Sequence, residues 1–158
     1  MFRIGIGSDI HRLVEGRPLV VGGVKIDSEL GAEGHSDADV LCHALCDAIL
    51  GALALGDLGK HFPNDEERWR NAESFIFLRY VVGLMKERGF SISNVDSTVH
   101  LEKPKLRPYI DDVRKGLAEV LETETNCISV KAKTGEGVEA VGERRAVRAD
   151  AIVLLAKV

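Results

Sequence analysis

Apolar positions recur along the chain with two periods, and each period predicts a different secondary structure. Runs that are continuously apolar or alternate with polar residues predict β-strands at 2–7, 91–101, 127–133 and 146–157. The run at 19–26 predicts two further short strands, joined by a tight turn at Gly22-Gly23. Apolar residues spaced three and four apart predict helices within 35–56, 71–89 and 108–122.

The ends of the predicted helices carry residues that are typical of helix boundaries. Ser36 and Asp39 match a capping box at the start of the first helix, and Gly56 follows its last apolar residue. Asn71 is a candidate N-cap for the second helix, and Pro108 opens the third. The three helices are therefore predicted by local chemistry as well as by period.

The order of these elements predicts the fold class. Strand, helix and strand across 91–133 form a crossover unit, which is normally right-handed and joins parallel strands. The whole pattern predicts an α/β (α+β) fold with a four- to five-stranded mixed β-sheet, helices on one face and a ferredoxin-like or βαβ topology. No internal repeat or linker interrupts it, so 1–158 is expected to be a single domain.

Composition excludes several classes of protein. The 158 residues are 45% hydrophobic and 29% charged, which suits a globular chain with a core rather than a disordered one. The formal net charge of −4 argues against a general nucleic-acid binder and against binding to anionic membranes. No apolar stretch is long enough for a bilayer and no signal-peptide pattern opens the sequence, so a cytoplasmic location is predicted.

The cysteines are interpreted as structural. Three cysteines, an odd number, do not suggest a disulfide framework. Cys42 and Cys46 lie four residues apart on the first helix and could share a metal ion, but their place on its leucine and alanine face favours small buried side chains. Cys127, at the start of a strand, is interpreted in the same way.

Two sets of polar residues suggest a metal site. Asp9 and His11 follow the first strand at alternate positions and so project to the same side. Asp39, His43 and Asp47 form a polar stripe along the first helix, which is either its solvent face or the wall of a site. One carboxylate and two imidazoles (Asp9, His11, His43) suit Zn²⁺ and leave a coordination position open, while Asp47 or Asp39 could accept the other ring N–H of His43.

Two further segments have the chemistry of phosphate sites. His35 and Ser36 precede the first helix, where free N–H groups and the helix dipole favour anions. In KTGEG (133–137), Thr134 could donate to a phosphate oxygen and Glu136 could hold a hard divalent cation. Taken alone, the Thr-Gly-Glu triplet is only a turn. No Walker motif or G-x-G-x-x-G is present.

Four blocks of the chain resemble, in order and spacing, the 2-C-methyl-D-erythritol 2,4-cyclodiphosphate synthase family of the non-mevalonate isoprenoid pathway: SDIHRL, GHSDADVLCHALCDAILGALALGDLGKHFP, NVDSTVHLEKPKLRP and VKAKTGEG. The resemblance implies a lyase that cyclises 4-diphosphocytidyl-2-C-methyl-D-erythritol 2-phosphate and releases CMP. The 2-phosphate of the substrate is itself the nucleophile, so catalysis rests on positioning and charge neutralisation.

The resemblance also implies roles for individual residues. Zinc would be held by Asp9, His11 and His43, and Mg²⁺ or Mn²⁺ by Glu136, while His35 and Thr134 would flank the transferring phosphate. The erythritol side of the substrate would contact Ser36, Asp57, Leu58, Gly59, Phe62, Pro63, Asn64, Asp65 and Glu66. The cytidine side would contact Leu101, Lys103, Pro104, Lys105, Leu106, Ala132, Lys133 and Gly135.

The family's assembly is a further implication. Its members are homotrimers with active sites shared between subunits and a central cavity that binds a prenyl diphosphate. This chain departs from the family pattern at Lys133, where a Thr is usual, and at Asn64, where an Asp is usual. Near the three-fold axis Glu143 stands where the family has an Arg, and Arg145 stands where it has an acid. This favours a charge swap in which Arg145 partly restores the positive site and Glu143 pairs with Arg145 or Arg144; the alternative is that the loop packs differently and the cavity binds nothing.

Two other functions fit the same residues less completely. The Asp9, His11 and His43 set permits a zinc-dependent phosphohydrolase of a nucleotide-linked substrate, but no general base stands out beside it. A non-catalytic trimeric module that binds a nucleotide is the second alternative. Neither explains why all four blocks occur in the family's order.

Overall fold

The computed structural model of the chain describes residues 1–63 and 66–158. Asn64 and Asp65, both expected to bind substrate, lie outside the described residues. The strands are β1 (Phe2–Val14), β2 (Leu19–Val21), β3 (Val24–Ile26), β4 (Gly31–Ala32), β5 (Phe90–His100), β6 (Ile128–Lys133) and β7 (Ala146–Lys157). The α-helices are α1 (Val40–Ala52), α2 (Leu58–His61), α3 (Ser74–Glu87), α4 (Ile110–Val120) and α5 (Glu139–Gly142). Short 3₁₀ turns span Glu67–Trp69, Arg107–Tyr109 and Thr125–Cys127.

The main sheet confirms the predicted five-stranded mixed arrangement, with the strand order β4-β1-β7-β5-β6. β5 and β6 run parallel and are joined through α4, which is the predicted βαβ unit. The other neighbours are antiparallel. The ferredoxin-like part of the prediction is wrong, because β5 and β6 pair directly instead of having another strand between them. The β2–β3 hairpin forms a separate two-stranded sheet.

Helices α1, α3 and α4 cover one face of the sheet, and α1 packs most closely, against β1 and β7. Glycine makes this possible in β1. A Cβ at Gly5 would lie 1.9 Å from the Ala48 carbonyl oxygen, and one at Gly7 would lie 2.0 Å from the Ala44 carbonyl oxygen. Because no side chain separates the two backbones, the β1 residues that follow on the same face lie directly beside α1.

The opposite face of the sheet is open and carries large apolar side chains. Phe2, Ile4, Ile6 and Ile10 of β1 and Ile152 of β7 are between 43% and 73% exposed. Even-numbered β1 residues lie on this face and odd-numbered ones lie beneath the helices, as the two-residue period of a strand requires. The prediction of helices on one face is confirmed.

Several predicted boundaries are wrong, each through contacts that are distant in sequence. β1 continues to Val14, so Asp9 and His11 lie inside the strand and not after it, because β7 pairs with it as far as Arg12. α1 starts at Val40, and Asp39 rather than Ser36 is its N-cap.

The other boundary errors concern α3 and the short elements. Asn71 is not the cap of α3, whose N-cap position is Glu73. The sequence pattern also missed β4, α2 and α5, which span four residues or fewer. None of the helices in the part of the chain that the structure describes combines the length and apolar character needed to cross a membrane.

Candidate active site

Three ligand-type atoms converge where β1 meets α1. His11 Nε2 lies 2.8 Å from Asp9 Oδ2, and His43 Nδ1 lies 3.0 Å from the same oxygen. The two ring nitrogens are 3.2 Å apart. Among the described residues, these three are the one group of histidine, cysteine and acidic side chains close enough to share an ion. The two-residue period of β1 and the single face of α1 therefore bring together the three residues predicted from sequence.

The donor set fits a divalent metal. His11 Nδ1 lies 2.9 Å from the Glu33 carbonyl oxygen, which can only accept, so Nδ1 carries a proton and Nε2 is the nitrogen that offers a lone pair to an ion once its own proton is released. Ligands of a tetrahedral ion with bonds of about 2.0–2.1 Å lie about 3.3 Å apart. The observed separations are slightly shorter than that, so a small outward movement of the three side chains accommodates the ion.

The electrostatics of the cluster favour the ligand form of the carboxylate. Burial raises the pKa of Asp9, but the hydrogen bonds and charges of His11 and His43 outweigh burial and lower that pKa to about 2. Burial lowers the pKa of His11, and the hydrogen bond and charge of Asp9 more than reverse this effect, so the pKa is raised. The Asp9 carboxylate is thus ionised at neutral pH and attracts positive charge to this point.

The two aspartates expected to orient His43 act elsewhere. Asp39 is fully buried, and its carboxylate accepts from the N–H groups of Gly22, Gly23 and Cys42 at 2.9, 2.7 and 3.1 Å. Burial raises the pKa of Asp39, against the effect of those N–H groups. Asp39 therefore ties the β2–β3 turn to the start of α1, where both glycines have positive φ and leave their N–H groups free to point inward.

Asp47 supports the cavity wall rather than the histidine. Its Oδ1 accepts from the N–H of Leu58 at 2.7 Å, and burial raises its pKa. Asp57 caps the same short helix, α2, by accepting from the N–H of Lys60 at 3.0 Å. In the described residues, the side-chain groups that face Nε2 of His43 are the hydroxyls of Ser74 at 3.0 Å and Ser36 at 3.3 Å. The expectation that Asp39 or Asp47 accepts the ring N–H is therefore wrong.

A cavity of about 400 Å³, here called the metal-side cavity, opens beside the cluster. It is lined by Asp9, His11, Gly34, His35, Ser36, His43, Asp47, Leu58, Gly59, Phe62, Trp69 and Phe77. Sequence reasoning predicted nine of these twelve residues as site residues but missed Gly34, Trp69 and Phe77. Phe62 packs edge-on against Trp69 and at a tilt against Phe77, at ring-centre distances of 4.9 and 4.6 Å, so one wall of the cavity is aromatic.

The remaining residues predicted on this side lie around the cavity mouth. His35 Nε2 lies 3.1 Å from the Glu66 carbonyl oxygen, which holds the His35 ring at the cavity wall. Ser36 Oγ accepts from the N–H of Ala38 at 3.2 Å. Pro63 is half-buried, and the Glu66 side chain pairs with Arg68.

A second cavity, here called the loop-side cavity, lies at the end of the parallel strands β5 and β6 and measures about 540 Å³. It is lined by Asp27, Ser28, Glu29, Glu102, Lys103, Pro104, Lys105, Thr134 and Arg144. Thr134 donates to Glu136 Oε1 at 2.9 Å, and Glu102 Oε2 accepts from the N–H of Gly135 at 2.8 Å. The Glu102 contact joins the loop after β5 to the loop after β6.

The other predicted cytidine-side residues divide into two groups. Leu101 and Leu106 are buried in the core, so only their backbone is available to a ligand. Ala132 and Lys133 are exposed at the end of β6, and the Lys133 carbonyl accepts from the N–H of Leu101 at 2.9 Å. The structure thus brings the predicted cytidine-side loops together, but at a different cavity from the one beside Asp9, His11 and His43.

The interpretation of the cysteines as small buried side chains is confirmed for two of the three. Cys42 and Cys46 are fully buried, and burial raises the pKa of both thiols well above its usual value, which disfavours the thiolate that a metal needs. Cys127 is half-buried and not part of the core, because the 3₁₀ turn before β6 leaves it near the surface.

A mixed α/β fold in which one carboxylate and two imidazoles converge at the wall of a polar cavity defines a candidate metal-dependent enzyme. The sequence model of the YgbB family matches residues 2–156. A 2-C-methyl-D-erythritol 2,4-cyclodiphosphate synthase from Solibacter usitatus is 51% identical over 155 residues, which cover 98% of each chain.

Solved structures agree with this match. The CDP-bound form of a 2C-methyl-D-erythritol-2,4-cyclodiphosphate synthase is 41% identical, with a TM-score of 0.90 over 98% of this chain and 100% of that chain. The bifunctional IspDF from Campylobacter jejuni is 35% identical, with a TM-score of 0.96 over 100% of this chain and 43% of that chain. The chain belongs to the YgbB family of 2-C-methyl-D-erythritol 2,4-cyclodiphosphate synthases, which are enzymes of isoprenoid biosynthesis.

Proposed function

We propose that this enzyme converts 4-diphosphocytidyl-2-C-methyl-D-erythritol 2-phosphate to 2-C-methyl-D-erythritol 2,4-cyclodiphosphate. An oxygen of the 2-phosphate forms a bond to the β-phosphorus, the bond from that phosphorus to the bridging oxygen breaks, and CMP leaves with the electron pair. The observation that carries the proposal is the convergence of Asp9, His11 and His43 beside a cavity in a chain of this family.

The chain's own groups suit a reaction that needs no protein nucleophile. The His35 ring and the Ser36 hydroxyl lie in the metal-side cavity, where they can donate to phosphate oxygens of the substrate. The Leu58 and Gly59 backbone, held by the Asp47 carboxylate, forms the part of the wall suited to the erythritol hydroxyls. The aromatic wall of Phe62, Trp69 and Phe77 limits the access of water, which would compete with the 2-phosphate as nucleophile.

The metal that we propose for Asp9, His11 and His43 is zinc, because one carboxylate and two imidazoles with an open position suit this ion. When bound, zinc supplies Lewis-acid stabilisation of the charge on the β-phosphate. We propose Mg²⁺ or Mn²⁺ at Glu136, an exposed carboxylate whose Oε1 already receives the Thr134 hydroxyl. In this arrangement Thr134 fixes the carboxylate and lies beside the transferring phosphate.

We propose that the enzyme is a homotrimer whose active sites lie between subunits. The predicted site residues of one chain are divided between the metal-side cavity and the loop-side cavity, so a second copy is needed to bring both halves to one substrate. The open sheet face supports the same assembly, because a contiguous surface of Phe2, Ile4, Ile6 and Ile10 is unusual on a monomer and is covered when copies pack together.

The CDP-bound relative supports a cytidine nucleotide as the ligand, and we propose the loop-side cavity as its site. Lys103 and Lys105 supply positive charge there, and Pro104 supplies an apolar surface for a base. The proposed prenyl diphosphate site near the three-fold axis depends on Glu143 and Arg145, which pair with each other at 2.6 Å, while Arg144 pairs with Glu29 at 3.0 Å. The pairing supports the proposed charge swap. A cytoplasmic location stays a prediction.

³¹P NMR of the enzyme with its substrate, Zn²⁺ and Mg²⁺ tests the reaction directly. We expect the signals of a cyclic diphosphate together with CMP. A linear diphosphate or free phosphate would instead indicate the phosphohydrolase, and intact substrate after long incubation would indicate the nucleotide-binding module. Either of those results contradicts the proposed cyclisation.

A further inference from the structure

We propose that Ser74, held by Asp37, is a positioning residue that orients His43 for the metal. This inference rests on the metal site of the proposed function and adds two residues to it. Neither residue lines the metal-side cavity, and neither touches the converging ligand atoms. They act through the far side of the His43 ring.

Ser74 is fully buried at the first position of α3, directly behind His43. Its Oγ lies 3.0 Å from His43 Nε2. The same hydroxyl contacts Asp37 Oδ1, and the N–H of Ser74 donates to Asp37 Oδ2 at 2.9 Å. Asp37 is itself fixed, because its Oδ1 accepts from the N–H of Asp39 at 3.1 Å. The Asp37 carboxylate thus receives both polar groups of Ser74 and caps the start of α3.

The protons in this chain of contacts can be assigned. A carboxylate only accepts, so the single hydroxyl proton of Ser74 points to Asp37. The lone pairs of Ser74 Oγ then face His43, and Nε2 must donate to them. A neutral ring protonated at Nε2 presents a lone pair at Nδ1, the atom that lies 3.0 Å from Asp9 Oδ2. Asp37 and Ser74 therefore select the tautomer of His43 in which Nδ1 is the ligand.

The contact also fixes where Nδ1 points. The ring of His43 is held at Nε2 by a residue of α3, so its rotation about the side-chain bonds is restricted before any ion binds. Ser36 Oγ, 3.3 Å from Nε2, is a weaker second acceptor. Such outer contacts typically alter metal affinity about 10–100-fold. We therefore expect Ser74→Ala to weaken zinc binding about tenfold or more without removing any ligand.

Zinc affinity measured by competition with a chromophoric chelator tests the proposal. The matched control is Ser97→Ala, because Ser97 is also buried and also donates one hydrogen bond, to the Ser129 carbonyl at 3.0 Å, but lies away from the cluster. We expect Ser97→Ala to bind zinc as the wild type does. In the zinc-loaded wild type, ¹⁵N-resolved NMR should show a protected His43 Nε2 proton, which Ser74→Ala exposes to fast exchange.

Asp37→Asn keeps the shape of the side chain and is the second test variant, used if Ser74→Ala does not fold. Its amide oxygen can still accept from the N–H of Ser74, but its amide nitrogen cannot accept from the Ser74 hydroxyl, and the negative charge behind Ser74 is removed, so we expect zinc binding weaker by several-fold. If Ser74→Ala folds and its zinc affinity is within twofold of the wild type, the positioning role is overturned. If Ser74→Ala does not fold, the same result for Asp37→Asn overturns it. Failure of the wild type itself to bind zinc would instead contradict the proposed function.

Discussion

The metal-side cavity and the loop-side cavity are built in different ways. The first lies between β1 and α1, two long elements whose backbones touch at Gly5 and Gly7, and its groups are held by buried partners such as Ser74. The second is formed by loops after β5 and β6, and Thr134 and Glu136 are exposed there. In the proposed assembly, one chain supplies all three proposed metal ligands but only half of a substrate site.

This difference suggests that the metal-side cavity is suited to binding the metal and the loop-side cavity to binding the nucleotide. Rigid elements suit the metal ligands, because ligand atoms displaced by a fraction of an ångström change the geometry of an ion. Loops suit the nucleotide, because its phosphates and base are recognised by several exposed groups that tolerate small movements. Variants on the two sides should therefore fail in different ways.

The largest expected effect is that of His43→Ala, which removes a metal ligand. We expect loss of zinc and a decrease in activity of more than about 100-fold, since removing a ligand costs more than disturbing its outer contacts. Metal analysis and turnover measure both. His61→Ala, in which the removed ring contacts the Leu55 carbonyl and not the cluster, is the control. A metal-free and fully active His43→Ala enzyme would refute the assignment.

Mixed assemblies test whether the two cavities belong to one shared site. His43→Ala and Thr134→Ala should each be nearly inactive alone, but co-expressed with different tags they should regain activity. Trimers that carry both tags contain two chains of one variant and one of the other, so one of their three shared sites combines two intact halves, and we expect about a third of wild-type activity. No gain in the co-purified mixed assembly would show that each chain works with its own two cavities.

Glu136→Gln should affect the second metal alone. The amide keeps the size of the side chain but removes a charge that a hard cation requires, so we expect an approximately tenfold higher Mg²⁺ or Mn²⁺ requirement and unchanged zinc content. Titration of activity with Mg²⁺ measures the change, with Glu139→Gln, an exposed residue at the start of α5, as control. Equal loss of zinc from Glu136→Gln would contradict the separation of the two metals.

Gly7→Ala tests the close contact beneath the metal-side cavity. The added Cβ meets the Ala44 carbonyl oxygen at 2.0 Å, so β1 must move away from α1. We expect a loss of about 1–3 kcal/mol in the free energy of unfolding, measured by denaturant titration, together with weaker zinc binding. Gly83→Ala in α3, whose Cβ has open space, should instead stabilise the protein by up to about 1 kcal/mol. If Gly7→Ala and Gly83→Ala had the same free energy of unfolding, the close contact between Gly7 and Ala44 would not constrain the position of β1.

The smallest effect is expected for Arg145→Ala. If Arg145, although paired with Glu143, supplies the positive charge of the proposed axial site, Arg145→Ala should bind a prenyl diphosphate several-fold more weakly while its turnover is unchanged. Isothermal titration with the prenyl diphosphate measures this. Unchanged, tight binding by Arg145→Ala would rule out the charge swap.

Periods in the sequence indicated which three residues, the proposed metal ligands, come together in the structure. Alternate positions of a strand share a side, so Asp9 and His11 were expected to project together, and His43 was recognised by its place in the polar stripe of a helix. The same local logic predicted the β2–β3 turn and the parallel β5–β6 unit. It did not predict the length of β1 or the strand order of the sheet, since both depend on pairing with β7, the last strand of the chain.

Tertiary structure alone decided what surrounds these ligands. Helical spacing predicted that Asp39 accepts a hydrogen bond from His43. Its carboxylate instead accepts from the N–H groups of Gly22 and Gly23, in a turn distant in sequence. The partner of His43 is Ser74, 31 residues away. Sequence periodicity reports which residues share a face of one element. It does not report which other element packs against that face, because that choice is made by burial of the whole core.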